Sequence, residues 1–206
     1  MYEPPLHRQG NLAEIQALIR ARPFGLLISA GPSGLLATSI PFTFVDDGSK
    51  FGLLRGHVAR ANPHWRDLAQ AAEALIVFQG ADHYITPSWY ATKRETGKVV
   101  PTWNYVMVQA RGAPRVDESA DWLRAQVEQL TNEREVRREE PWAVGDAPEA
   151  YIAQQLSAIV GVEIPIADLR GKWKASQNRN AADREGVVAG LGEHPMAEIV
   201  RKAKAP

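Results

Sequence analysis

The chain has 206 residues, 45% hydrophobic and 23% charged, and its 24 basic and 24 acidic side chains leave a formal net charge of zero. That length can bury a core without staples, and the neutral balance excludes recruitment of nucleic acid or anionic membrane by bulk attraction. With no cysteine in the chain, disulfides, thiolate metal sites and cysteine nucleophiles are excluded as well.

In chain order, the spacing predicts a helix over 11–20, with Asn11 as its cap and Leu12, Ile15, Leu18 and Ile19 on one side. Residues 24–29 form an apolar run, Gly31-Pro32-Ser33-Gly34 a turn and 35–44 a second run, which together read as a hairpin. Asp46-Asp47-Gly48 marks another turn, and 51–56 is a third strand. The stretch 56–66 runs Gly-His-Val-Ala-Arg-Ala-Asn-Pro-His-Trp-Arg. Here Asn62 is a good N-cap and Pro63 a good first residue of a helix reaching about residue 72. Free amides at such a start, with Arg60, can hold a phosphate. The same pattern also describes a plain capped surface helix. Residues 75–78 lack alternation and read as a strand buried on both faces.

Over 102–110 a β-rich run points Trp103, Tyr105 and Met107 one way and Asn104, Val106 and Val108 the other. Residues 112–116 continue the sheet after a bend. An amphipathic helix over 119–130 turns Leu123, Val127 and Leu130 inward, and the mixed charges of 133–140 read as a solvated face. Asp146 and Glu149 have capping-box spacing ahead of a helix burying Tyr151, Ile152, Leu156 and Ile159. Val160, Val162, Ile164 and Ile166 then alternate as a strand. From 181 onward the chain reads as a peripheral helix. Hairpin-linked strands with helices gathered late indicate α+β around an antiparallel sheet or barrel. With no membrane-length apolar run and no secretory pattern at the N-terminus, the expected location is cytoplasmic.

Three segments are too polar and too aromatic for connectors: 56–66, 84–105 and 171–179. Trp65, Trp89, Trp103 and Trp173 lie in or beside them. Aromatic faces beside amides and hydroxyls suit a flat heteroaromatic ligand, although such rings also fill cores and subunit interfaces. The five histidines make no metal motif, and no Walker or dinucleotide fingerprint is present. Ser33 reads as a turn residue, and Asp46-Asp47 as a turn in preference to an acid–base pair.

Taken together, these segments resemble the PaiB-type FMN-binding proteins, known as negative transcriptional regulators. The resemblance rests on Pro23-Phe24-Gly25, the Leu54–Pro63 string, Tyr84–Tyr90, Val100–Tyr105, Pro141-Trp142-Ala143-Val144 and Gly171–Arg179, in that order. It implies an α+β fold, an antiparallel FMN-binding split β-barrel with peripheral helices. One domain is expected, 1–170 holding the barrel and 171–206 completing the site. It further implies FMN as cofactor, no metal, and a homodimer with flavin sites at the subunit interface. DNA enters as a partner by the family label alone. The phosphate then falls to Arg60 and the amides of Ala59 to Asn62, with His57 close by. The ring falls to the backbone at Thr38, Ser39 and Ile40. Trp89, Tyr90, Trp103, Asn104 and Tyr105 are candidates for its edge, and Lys174, Ser176 and Gln177 complete the site. Two departures stand out: Ser39 occupies the position of a family His, and Ala175 that of a Leu. A regulator or flavin-dependent sensor is the first reading and a flavin-dependent oxidoreductase the second, no acid–base pair naming a substrate. A haem-binding role ranks last, because its expected ligand at position 39 is absent.

Overall fold

The computed structural model describes residues 1–203, so the last three residues of the expected 171–206 segment lie outside the described ones. In chain order the elements are β1 (Arg8–Gln9), α1 (Leu12–Ala21), β2 (Phe24–Gly31), β3 (Gly34–Pro41), β4 (Thr43–Val45), β5 (Leu53–Ala59), α2 (His64–Leu68), β6 (Ala74–Ile85), α3 (Ala91–Thr96), β7 (Thr102–Gly112), β8 (Arg115–Asp117), α4 (Ala120–Glu135), α5 (Glu149–Ser157), β9 (Ile159–Pro165), β10 (Asp168–Lys174), α6 (Ala181–Leu191) and α7 (Pro195–Lys202). The chain divides into two compact units. One holds residues 1–15, 79–108 and those from 170 onward; the other holds 16–78 and 109–169. Residues 1–170 contribute to both units.

In the unit holding 16–78 and 109–169, β2 and β3 form the expected hairpin, with Phe24 opposite Pro41 and Leu27 opposite Thr38. The other side of β2 pairs with the start of β6, Leu26 opposite Val77. The run expected over 35–44 is in fact two strands. Pro41 has no N–H to extend a ladder, and the Phe42 amide donates instead to the Pro23 carbonyl at 2.9 Å. The Phe42 ring turns into the core edge-on to Phe78, centroids 5.9 Å apart. Gly25 makes room for this pair, since a Cβ there would lie 2.8 Å from the Phe78 ring.

After that break β4 joins a second antiparallel sheet in the order β4-β5-β9-β8. Val160, Val162 and Ile164 of β9 are fully buried, as their alternation predicts. Trp122 of α4 lies over Gly161, and Leu123, Val144, Ile152 and Leu156 form a small core. Burying each such aliphatic side chain stabilises by roughly 1.5–3 kcal/mol. Three expectations fail here. Ile159 lies beyond α5, as the half-buried first residue of β9. Tyr151 is exposed, because Ile152 and Leu156, four apart, already supply the inward stripe of a short helix. Asp146 does not cap α5; its carboxylate accepts from the Ala143 amide at 2.8 Å and closes a separate 3-10 turn. The helix α4 also runs on to Glu135, absorbing the start of the charge run.

In the other unit β1 pairs with β10, Arg8 opposite Lys172. Neither strand is expected from the sequence, whose 170–174 string is charged and glycine-bearing. Along β7, Asn104, Val106 and Val108 are buried and Trp103 is exposed, as the alternation predicts. The expected C-terminal helix is two helices, α6 and α7, which bury Val187, Leu191, Met196 and Val200. Gly186 and Gly190 leave α6 bare where Trp89 packs; a Cβ at either would collide with it.

Candidate functional site

Residues 56–66 begin as β5 and leave the sheet at Arg60, whose amide donates to the Ala158 carbonyl at 2.8 Å. The helix that follows, α2, spans only His64–Leu68, not the expected 63–72. Asn62 does not cap it in the ordinary way. Its Oδ1 accepts from the His64 amide two residues on, at 3.1 Å, and Pro63 takes the cap position. Its Nδ2 donates to Thr38 Oγ1 at 3.2 Å, which ties the segment to β3.

His64 is the group that the expected site lacked. It is buried, with Nδ1 2.8 Å from Thr38 Oγ1 and Nε2 2.9 Å from Ser29 Oγ. Burial holds its pKa below the ordinary value, with Asp67 acting weakly the other way. The ring is thus neutral at pH 7, one nitrogen donating and the other accepting. Asp67, also buried, accepts from the Ser33 amide at 3.0 Å and from its hydroxyl at 3.2 Å. This fixes α2 against the turn between β2 and β3. A His inside an Asn-Pro-His string was the available signal, but its burial depends on strands far away in sequence.

Within this unit the structure brings Thr38 and Asn62 together and sets Ser39 and Ile40 beside them on β3. β3 ends its sheet's strand order, so among the described residues no strand pairs with its outer edge. Half of its peptide groups over 38–40 therefore present N–H and C=O to a ligand. His57 sits apart, Nδ1 2.7 Å from Gln126 Oε1 of α4. Ala59 is exposed at the end of β5. Arg60 is already engaged: it donates to the Ser157 and Ile159 carbonyls at 2.8 and 3.1 Å and to Glu118 at 2.5 Å.

In the other unit Asn104 is fully buried; its Nδ2 donates to Ser176 Oγ at 2.8 Å while its Oδ1 has no partner among the described residues. Ser176 holds a φ of 59°, the left-handed region that costs a non-glycine residue energy. Gln177 locks that turn, accepting from the Ala175 amide at 2.7 Å and donating to the Trp173 carbonyl at 2.5 Å. Lys174 donates to Thr102 Oγ1 at 2.5 Å. Trp103 is half exposed, donates to Asp82 at 3.0 Å and meets Tyr84 edge-on at 6.0 Å. Tyr105 lies near Lys172, whose ammonium is 5.2 Å from its ring centroid. Trp89 and Tyr90 behave as packing residues: Trp89 fills the glycine face of α6, and Tyr90 is fully buried with the Arg179 guanidinium 4.3 Å from its ring centroid.

Comparison with known proteins places this geometry. The family described as "Putative FMN-binding domain" matches residues 1–168. The chain is 37% identical to an uncharacterized protein of Emericella nidulans, across 93% of this chain and 90% of the relative. It is 30% identical to the protease synthase and sporulation protein PAI 2 of Bacillus subtilis, across 96% and 93%. Among solved structures, the FAD and heme binding protein of Mycobacterium smegmatis shares the fold, with a TM-score of 0.62 at 18% identity, covering 89% of this chain and 80% of the other.

Proposed function

We propose, because the chain belongs to the PaiB-type FMN-binding domain family, that it is a flavin-dependent sensor that regulates through the state of its cofactor. The cofactor is FMN, and the fold is the α+β split-barrel type of flavin-binding proteins. Bound FMN supplies a ring that accepts and returns electrons while the protein positions it.

One observation carries the reading of this chain's own residues: the unpaired edge of β3 at Thr38–Ile40, fixed by Asn62 and His64. Peptide donors and acceptors on such an edge suit the polar rim of a flavin ring. Arg60 suits the phosphate. Its pair with Glu118 is partly exposed on both sides, and such pairs contribute about 0–1 kcal/mol, so a dianion can replace the carboxylate.

A homodimer and a cytoplasmic location belong to the same reading. The hairpin register puts Phe24, Leu26, Ile28 and Ala30 on one face with Pro41, Ser39, Ala37 and Leu35. Phe24 and Leu35 are 66% and 76% exposed, and an apolar sheet face of this kind suits a second copy of the chain. Among the described residues no helix is long and apolar enough to cross a membrane.

The test is to assay the FMN-loaded protein, oxidised and dithionite-reduced, for binding to its own upstream DNA at physiological salt, and for NADH and NADPH turnover. The sensor reading expects association that changes with flavin oxidation state and no sustained turnover. Sustained turnover with redox-independent DNA behaviour would replace it with an oxidoreductase. The salt condition matters because electrostatic DNA binding falls steeply with ionic strength.

A further inference from the structure

Lys172 is a buried cation without a counter-ion among the described residues. Only 7% of the residue is exposed. Its ammonium donates to the Tyr2 carbonyl at 3.0 Å and lies 5.4 and 5.2 Å from the ring centroids of Tyr2 and Tyr105. Two residues on, Lys174 projects from the same face of β10. Its one hydrogen bond among the described residues is to a neutral hydroxyl, that of Thr102. Among the described residues neither lysine has a carboxylate within 4 Å; Glu3, next in sequence to Tyr2, pairs with Arg8.

His7 joins them, its Nδ1 3.1 Å from Gln177 Oε1. Burial, and then the charges of Lys174 and Lys172, hold its pKa below the ordinary value. Burial and the neighbouring Lys172 do the same to Lys174. Two ammonium groups thus lie beside a neutral His7, where the described residues supply no carboxylate within 4 Å. Burying an isolated charge is unfavourable unless something pairs with it, and two tyrosine faces offset only part of that. The strained Ser176 turn follows β10, and on the neighbouring β7 the Asn104 Oδ1 has no partner among the described residues; strain of this kind collects at ligand sites.

We propose that Lys172 and Lys174 form a binding site for an oxyanion, the phosphate or carboxylate group of a small ligand. Both lysines lie beyond residue 168, where the family match ends. The anion is either the phosphate of FMN or the acid group of a second ligand. Only that choice of source rests on the FMN reading; the site does not.

The experiment uses the full chain, with Lys172→Met and Lys174→Met. Thermal unfolding is followed in inorganic phosphate and in chloride at matched ionic strength, and FMN and riboflavin are titrated by fluorescence. Phosphate should raise the wild-type midpoint by about 2–4 °C at concentrations well above its Kd. Both variants should lose that shift, and Lys172→Met should be no less stable than wild type in chloride, which shows that it folds. An FMN affinity about tenfold weaker in the variants, with riboflavin unaffected, identifies the cofactor's phosphate as the anion. A lost phosphate shift with unchanged FMN affinity identifies a second ligand. A phosphate shift in a wild-type protein that binds no flavin would sink the cofactor reading and leave the anion site standing. The proposal is overturned if wild type gains nothing from phosphate and FMN affinity is unchanged in both variants, or if the variants keep the full phosphate shift.

Discussion

His64 and Lys172 are both buried polar groups, one in each unit, and with their neighbours Asp67 and the half-buried Lys174 they solve opposite problems. His64 is neutral and satisfied, each ring nitrogen meeting a hydroxyl, with the neighbouring Asp67 saturated by Ser33. Lys172 and Lys174 are cationic and meet only neutral oxygens. Satisfied networks rigidify a fold, whereas uncompensated charge in a folded protein calls for a ligand. On this contrast His64 is a positioning residue for the β3 edge, and the lysines are binding residues.

The largest expected effect breaks the first half of that contrast. His64→Ala takes the ring partner from the Ser29 hydroxyl and leaves Thr38 with Asn62 alone, beside a new cavity, and should lower unfolding free energy by about 3 kcal/mol, read by urea denaturation. A loss under 1 kcal/mol would mean that the network is not structural. Ser176→Ala comes next. It removes the hydroxyl that accepts from buried Asn104 and should lower stability by about 1–2 kcal/mol; an unchanged midpoint would mean that water replaces it.

The pH dependence sharpens the comparison. The folded-state pKa of His64 lies below its ordinary value of 6.5, so between the two the unfolded chain binds more protons. Stability from this group is therefore complete above about pH 6.5 and is lost as pH falls through that value toward the folded pKa, with a slope of at most about 1.4 kcal/mol per pH unit. His7 shifts in the same direction. Urea midpoints at pH 7.5 and 5.5 should differ clearly in wild type and less in His64→Gln. Equal differences in the two would move the titration away from His64. The smallest effect on stability is expected of Arg60→Ala, below about 1 kcal/mol because its ion pair is exposed. Its FMN affinity should nevertheless fall about tenfold or more; unchanged affinity would place the phosphate elsewhere, with the lysines first in line.

The sequence made the local patterns legible. Alternation located β7 and β9, and turn chemistry located the β2–β3 hairpin. What escaped depended on distant partners. Pro41 ended β3 early because Phe42 finds the Pro23 carbonyl and the Phe78 ring. Tyr151 was expected inside, but Ile152 and Leu156 own the buried stripe. Much of the candidate site was visible as residue types, including Thr38, Asn62, Asn104, Lys174 and Ser176. Burial was not: nothing local marks His64 as a core residue, or Lys172 as the buried member of a charged strand. Trp89 and Tyr90 show the converse, since the aromatic pattern that suggested a ligand edge serves packing on α6 and beneath Arg179.

The most direct test of the account is gel filtration of purified protein after incubation with excess FMN, with flavin absorbance and protein mass read across the same peak. The account predicts equimolar flavin co-eluting with a dimer. A folded protein that emerges free of flavin would contradict it.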